Sequence, residues 1–177
     1  MVENKKGLTI IYTGNGKGKT TASLGLALRA IGHGHKVYMI QFMKGSENYG
    51  EVIAIKKYLP NFEIVQKGLE TFVEKGNPSS EDVKLAGEAI KLAKDVLIKG
   101  KYDIVILDEI NVAADFGLVS ENEVLELLAV KPDHVTVVLT GRYASENIMK
   151  KADMISEVKE VRHHFAKGIQ AQPGIEY

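Results

Sequence analysis

A lysine and two threonines, Lys19-Thr20-Thr21, close a glycine-rich run that reads Thr13-Gly14-Asn15-Gly16-Lys17-Gly18. Alternate glycines let the backbone curl so that several N–H groups point inward, a shape that receives phosphate oxygens. Lys19 supplies a point charge for those phosphates, and the Thr20 hydroxyl is placed to ligate a magnesium ion. The usual spacing is G-x-x-x-x-G-K-[ST]. Here Thr13 stands where the first glycine belongs, so Gly14 anchors the turn and the loop is one residue short.

A second chemical feature lies downstream, where Tyr102-Asp103-Ile104-Val105-Ile106-Leu107 ends in Asp108-Glu109. Beside a phosphate loop, a carboxylate at the end of a buried strand holds magnesium, directly or through water. Adjacent strand residues point to opposite faces, so one of the two acids is expected to face the phosphates, and periodicity leaves open which. Thr140-Gly141-Arg142 is a third candidate. Its arginine either forks onto phosphate or ribose oxygens or stays a solvated loop residue. On position alone Arg29 is a surface residue near the end of a helix. His163 and His164 lack partners at ligand spacing and read as solvated or packed.

These groups need strands and helices to hold them. Short apolar runs alternate with segments of helical period, the pattern of an α/β domain with a mostly parallel sheet of about six strands. Strands are expected at Leu8–Tyr12, Val37–Phe42, Phe62–Gln66, Ile104–Leu107, Val135–Thr140 and Ile155–Val161. Helices are expected near Lys19–Ile31, Gly50–Tyr58, Glu81–Ile98, Glu121–Ala129 and Ser145–Lys151. Ser79-Ser80-Glu81-Asp82 and Ser120 with Glu123 are capping signals, and Ser145 precedes its helix in the same way. In such sheets ligands bind beyond the carboxyl ends of the strands, which singles out loops 13–20, 43–49, 67–79, 108–119 and 141–145.

The length of 177 residues fits one domain, and no linker or repeat divides 1–177. Basic and acidic residues balance at 23 each, so no global field draws the chain to nucleic acid or an acidic membrane. Without cysteine there are no disulfides and no thiolate metal sites. No apolar run reaches membrane-spanning length and no secretion signal precedes the first strand, so a cytoplasmic protein is expected.

Taken in order, Thr13 to Thr21, Arg29-Ala30-Ile31-Gly32-His33-Gly34, Gln41-Phe42-Met43-Lys44-Gly45, Leu107-Asp108-Glu109 and Leu139-Thr140-Gly141-Arg142 resemble the P-loop corrinoid adenosyltransferases. The ending Gly168-Ile169-Gln170-Ala171-Gln172-Pro173-Gly174-Ile175-Glu176-Tyr177 resembles theirs too, so the likeness spans the chain. It implies a three-layer, RecA-like P-loop fold and a reaction in which Co(I) of a reduced corrinoid attacks C5′ of ATP and triphosphate leaves. By the same resemblance Gly14, Asn15, Gly16, Lys17, Gly18, Lys19, Thr20 and Thr21 hold the triphosphate, with Lys19 neutralising the leaving group. Thr20 and Glu109 become ligands of Mg²⁺ (or Mn²⁺ in its place) with Asp108 beside them, and Arg29 and Arg142 become nucleotide contacts. Cobalamin biosynthesis or salvage, a homodimer and an electron donor such as a flavoprotein are implied as partners and setting.

Two departures stand out. Family members carry an aromatic pair in a Gly-Phe-Thr-Trp-like run that displaces the lower cobalt ligand; here Gly68-Leu69-Glu70-Thr71-Phe72-Val73 puts Leu69 and Thr71 at those positions and Phe72 one step along. Some members also cover the corrinoid with an N-terminal helix, and only Met1–Gly7 precede the first expected strand. Leu69, Phe72, Asn111 and Phe116 are the corrinoid-side candidates, with Tyr143 and Phe116 able either to line that surface or to tuck over the sheet. A P-loop ATPase and a corrinoid carrier are the competing readings, the first predicting ADP and phosphate, the second no turnover.

Overall fold

The computed structural model describes residues 6–177. Six strands form one sheet: β1 (Thr9–Thr13), β2 (Val37–Phe42), β3 (Phe62–Lys67), β4 (Ile104–Asp108), β5 (Thr136–Thr140) and β6 (Met154–Glu157). Their spatial order is β3-β2-β4-β5-β1-β6, and every pairing is parallel. The helices are α1 (Lys19–Gly32), α2 (Gly50–Tyr58), α3 (Ser80–Lys99), α4 (Ile110–Asp115), α5 (Glu121–Ala129) and α6 (Glu146–Met149), with a 3₁₀ turn at His164–Lys167.

Strand periodicity of two sorts the apolar residues into two layers. Ile10, Val37, Met39, Ile104, Ile106 and Val138 pack against Ala27 and Ala30 of α1 and Ile55 of α2. Ile11, Ile40, Phe42, Val105, Leu107, Val137 and Leu139 point the other way, onto Ala86, Ala89, Ala93 and Leu97 of α3 and Val124 and Leu127 of α5. Both faces of the sheet are therefore covered, as parallel strands with near-continuous apolar sequence require. Each such side chain, fully buried, contributes about 1.5–3 kcal/mol of transfer free energy.

The helix start signals act as expected. Ser79 with Asp82 and Ser120 with Glu123 form reciprocal capping boxes, and the Ser145 hydroxyl accepts from the Ile148 amide. Two expectations need correction. The last strand runs Met154–Glu157 rather than Ile155–Val161, and Val161 is almost wholly exposed. A further helix, α4, occupies part of what read as a loop, because it is six residues long and is preceded by Glu109, whose side chain makes no cap. Residues 1–5, most of the leader before the first strand, lie outside the described residues.

For the site, the sheet order matters most. β5 lies between β1 and β4, pairing Tyr12 with Thr140 and Leu107 with Leu139, while β2 pairs Gln41 with Asp108. Four strand ends thus bring the phosphate loop, Thr140, Asp108 and Gln41 to one edge of the sheet.

Candidate functional site

The loop after β1 is held open by close packing. Gly14 has φ 97°, and a Cβ there would sit 2.5 Å from the Val158 carbonyl oxygen. A Cβ on Gly16 would lie 2.7 Å from the Lys159 carbonyl carbon, and the Gly16 amide donates to Val158 O at 2.8 Å. Gly14 and Gly16 therefore have glycine's freedom to lie against the chain leaving β6, so Gly14 does serve as the turn's anchor although Thr13 remains in the strand.

From the first turn of α1, Lys19 folds back and donates to the Gly16 carbonyl at 2.7 Å. Burial pushes its ammonium below the ordinary lysine value; Glu109 and Asp108 oppose that, and Arg142 adds to it. A lysine so placed carries charge that little solvent screens, ready for an anion.

Asp108 is fully buried and saturated with donors. Oδ1 accepts from Thr20 Oγ1 at 2.9 Å and Thr140 Oγ1 at 2.7 Å; Oδ2 accepts from Lys44 Nζ at 2.8 Å and Gln41 Nε2 at 3.2 Å. Burial works against its ionisation, but the Lys44 ammonium and the hydroxyls outweigh that and hold the carboxyl below the usual range. Gln41 is itself oriented by Gln66, which donates to its carbonyl oxygen at 3.0 Å, and it also donates to Glu51 at 3.0 Å. Lys44 is raised above its ordinary value: burial lowers it, yet Asp108 above all, with Glu109 and Glu51, favours the charged form more.

Glu109 behaves differently although it is the next residue. Its backbone turns into the left-handed region at φ 62°, its amide donates to Thr140 Oγ1 at 3.0 Å, and its side chain lines the cleft. Burial first, and the Asp108 charge second, push its carboxyl above the ordinary glutamate value. Met43, Glu109 and Tyr143 are the non-glycine residues with positive φ among the described residues, and they follow β2, β4 and β5. Strain of this kind, of order 1–3 kcal/mol per residue, is concentrated at the strand ends facing the cleft.

The cleft has a volume of about 650 Å³. Gly16 to Thr21, Lys44, Glu109 and Arg142 line it, and His163 with Gly174–Tyr177 form a further wall. Within that wall Glu176 lies 3.8 Å from Lys17 and 3.5 Å from His164. The strand-end loops thus converge a lysine-lined cradle, the Thr20 hydroxyl, the Glu109 carboxylate and Arg142 on a space of nucleotide size, with Asp108 buried behind it.

Over residues 5–177 the chain matches the family model described as ATP:corrinoid adenosyltransferase BtuR/CobO/CobP. The chain belongs to this family. A corrinoid adenosyltransferase of Escherichia coli K12 is 36% identical over 99% of this chain and 88% of that protein. One from Salmonella typhimurium is 35% identical over the same shares, and one from a Sinorhizobium species is 37% identical over 98% and 82%. The chain is thus an enzyme, an ATP-dependent corrinoid adenosyltransferase of cobalamin biosynthesis or salvage. Among solved structures, a KaiC-like protein of Pyrococcus horikoshii aligns with a TM-score of 0.58 at 19% identity, covering 87% of this chain and 73% of that one. That likeness concerns the fold alone and agrees with a RecA-like P-loop architecture.

Not every expected residue of the adenosyltransferase reaches the cleft. Arg29 lies exposed in the last turn of α1, ten residues and about 15 Å along the helix from Lys19, so this chain's own cleft does not receive it. Asn15 is exposed on the loop outside the lining. On the other side of the sheet edge, Phe116 and Tyr143 come together under Lys75, whose ammonium lies 5.8 Å and 5.4 Å from the two rings and 2.6 Å from Asp115. Phe72 is fully exposed and Leu69 half-buried in the loop after β3. Asn111 is buried with neither side-chain polar atom bonded to protein. Lys44, Gln41 and Glu51 receive no role from the sequence; the available signals were Lys44's place in loop 43–49, after a strand, and the Gln41–Gly45 run that shares in the resemblance.

Proposed function

We propose that the chain forms a cobalt–carbon bond by displacing triphosphate from ATP. The Co(I) electron pair attacks C5′, the C5′–O5′ bond breaks, and its electrons leave on the triphosphate oxygen. No proton is taken from a nucleophile, so the work asked of the protein is to orient C5′ and stabilise the departing charge. The observation that carries this reading is a cleft lined by the phosphate loop with Lys19, together with Lys44 and Arg142. Lys19 meets the growing negative charge, Gly16, Lys17, Gly18 and Thr21 hold the phosphate oxygens, and Arg142 contacts the nucleotide.

The Thr20 hydroxyl and the Glu109 carboxylate would hold a magnesium ion, which would supply positive charge to the triphosphate. The donor set fits: both atoms are hard oxygens beside the phosphate cradle, and Mg²⁺ uses few protein ligands where substrate phosphates and water complete the shell. Among the described residues no cluster of three or more acidic, histidine or cysteine side chains stands ready to hold a metal by itself. That agrees with an ion that arrives with its nucleotide.

The corrinoid meets the sheet edge at Asn111 of α4 and Phe116 at its end, with Leu69 and Phe72 of the loop after β3 on the same substrate and Phe72 as the group that displaces the lower cobalt ligand. An external donor such as a flavoprotein supplies the electron that makes Co(I), and the enzyme works as a cytoplasmic homodimer. Among the described residues no helix is long and apolar enough to cross a membrane. The test is to mix the protein with MgATP and chemically reduced cobalamin in anaerobic darkness and identify the phosphate product. Light-sensitive adenosylcobalamin with equimolar triphosphate is expected; ADP and phosphate with an unchanged corrinoid spectrum would overturn the reading in favour of an ATPase.

A further inference from the structure

Lys44 sits where a metal-binding corner would be expected to bind metal. Its ammonium is 2.8 Å from Asp108 Oδ2 and 3.4 Å from Thr20 Oγ1, and Thr20 is also bonded to the other Asp108 oxygen. The backbone fixes this placement. Met43 adopts φ 58° to turn the chain at the end of β2, and Gly45 lies so close to Gly68 that a Cβ would meet its carbonyl oxygen at 2.4 Å. The Lys44 side chain is 18% exposed and lines the cleft, so its ammonium can reach either the buried acid or a ligand in the cleft.

We infer that Lys44 is a resident cation, holding the place between Asp108 and Thr20 while no divalent ion is bound and turning onto the triphosphate when the metal arrives. The inference rests on the reading that Thr20 and Glu109 hold the divalent ion. A divalent ion on Thr20 Oγ1, at about 2.0–2.1 Å, and an ammonium on the same oxygen would be like charges sharing one small ligand. One must leave, and the phosphate oxygens in the cleft are the partners open to a lysine point charge. Until then the ammonium occupies the corner between Asp108 and Thr20, so metal enters as the nucleotide complex. Lys44 is thus a positioning residue that sets the order of loading.

The probe is Mn²⁺, followed by electron paramagnetic resonance without nucleotide. Wild type is expected to bind it weakly, and Lys44→Met about tenfold or more tightly, because a buried carboxylate that loses its cation takes up another. The double variant Lys44→Met with Asp108→Asn is expected to return to the wild-type value. Equal Mn²⁺ affinity in wild type and Lys44→Met, whether measurable or absent in both, overturns the inference. Repeating the titration with ATP present separates the two readings: Mn²⁺ bound only with ATP, equally in both proteins, removes Lys44's role and leaves the metal site standing. No Mn²⁺ in either protein with ATP removes both. Should Lys44→Met fail to fold, the wild-type chain answers through the side-chain ¹⁵N signal of the Lys44 ammonium. A shift on adding MgATP supports the inference, and an unchanged signal at saturating MgATP overturns it.

Discussion

The two substrate sides of this enzyme differ in how much the fold builds in advance. On the proposed nucleotide side, Asp108 is buried and met by four donors, Lys19 is folded onto its own loop, and two glycines lie against neighbouring backbone. On the proposed corrinoid side, the stretch from Gly68 to Ser79 is mostly exposed and is tied down chiefly by Val73 against the core and by Lys75 to Asp115. A triphosphate is small and highly charged, and recognising it takes a few rigid dipoles. A corrin is broad, and a face that admits it has to stay open until it comes. The difference teaches that order in this molecule follows the charge it must stabilise.

The largest expected effect comes from removing the cation at the centre of the ordered side. Lys19→Ala should lower adenosyl transfer by about a thousandfold or more while leaving the fold intact, read by corrinoid spectroscopy beside circular dichroism. Retained activity would mean the cradle is not where the triphosphate sits. Next, Asp108→Asn strands Lys44 without its buried partner and should cost about 3–5 kcal/mol in urea unfolding. A cost below about 1 kcal/mol would show that the corner is less built than its geometry implies.

The neighbouring acids should also respond to pH in opposite senses. Asp108 is held below the ordinary carboxylate range, so its share of stability is present above the unfolded value and is lost as pH falls through the folded one. Glu109 is raised, chiefly by burial and then by Asp108, so its ionisation opposes folding above the raised value. That penalty is relieved as pH falls through the raised value toward the ordinary one. Glu109→Gln should therefore stabilise the nucleotide-free protein at neutral pH by about 1 kcal/mol and weaken MgATP binding. A destabilised Glu109→Gln protein in thermal melts would contradict this.

The smallest structural effect belongs to the open side. Phe72→Ala should leave stability within about 0.5 kcal/mol, since the ring is fully exposed, yet slow turnover that starts from Co(II) with a donor present. Unchanged turnover would remove Phe72 as the group that displaces the lower ligand.

Much of the ordered side was legible in the sequence because its signals are local. The strand into Gly14, the Lys19-Thr20 pair and the acids ending β4 each announce themselves within a few residues, and β2, α2 and α5 fall on the stated boundaries. What could not be read depends on distant partners. Lys44 meets Asp108 across 64 positions, and only the turn at Met43 aims it there. Strand alternation anticipates that only one of Asp108 and Glu109 faces the cleft; which one it is follows from the left-handed turn at Glu109, which alternation does not carry. Arg29 shows the sequence's two signals disagreeing: its position alone marks a surface residue near a helix end, which is where it lies, whereas the nucleotide contact came only through resemblance. The last strand was misjudged because Ile155, Val158 and Val161 read as the apolar positions of one strand, whereas the chain leaves the sheet at Val158 to pack on the phosphate loop.

The contrast between the two sides is tested most directly by amide hydrogen exchange on the free protein, with MgATP, and with MgATP plus a corrinoid. Strands β1, β4 and β5 should be protected in all three states. Residues 14–21 should slow further with MgATP, and residues 68–79 should exchange freely until the corrinoid is added. Protection of 68–79 in the free protein, or a phosphate loop that stays unprotected until the corrinoid binds, would contradict the account.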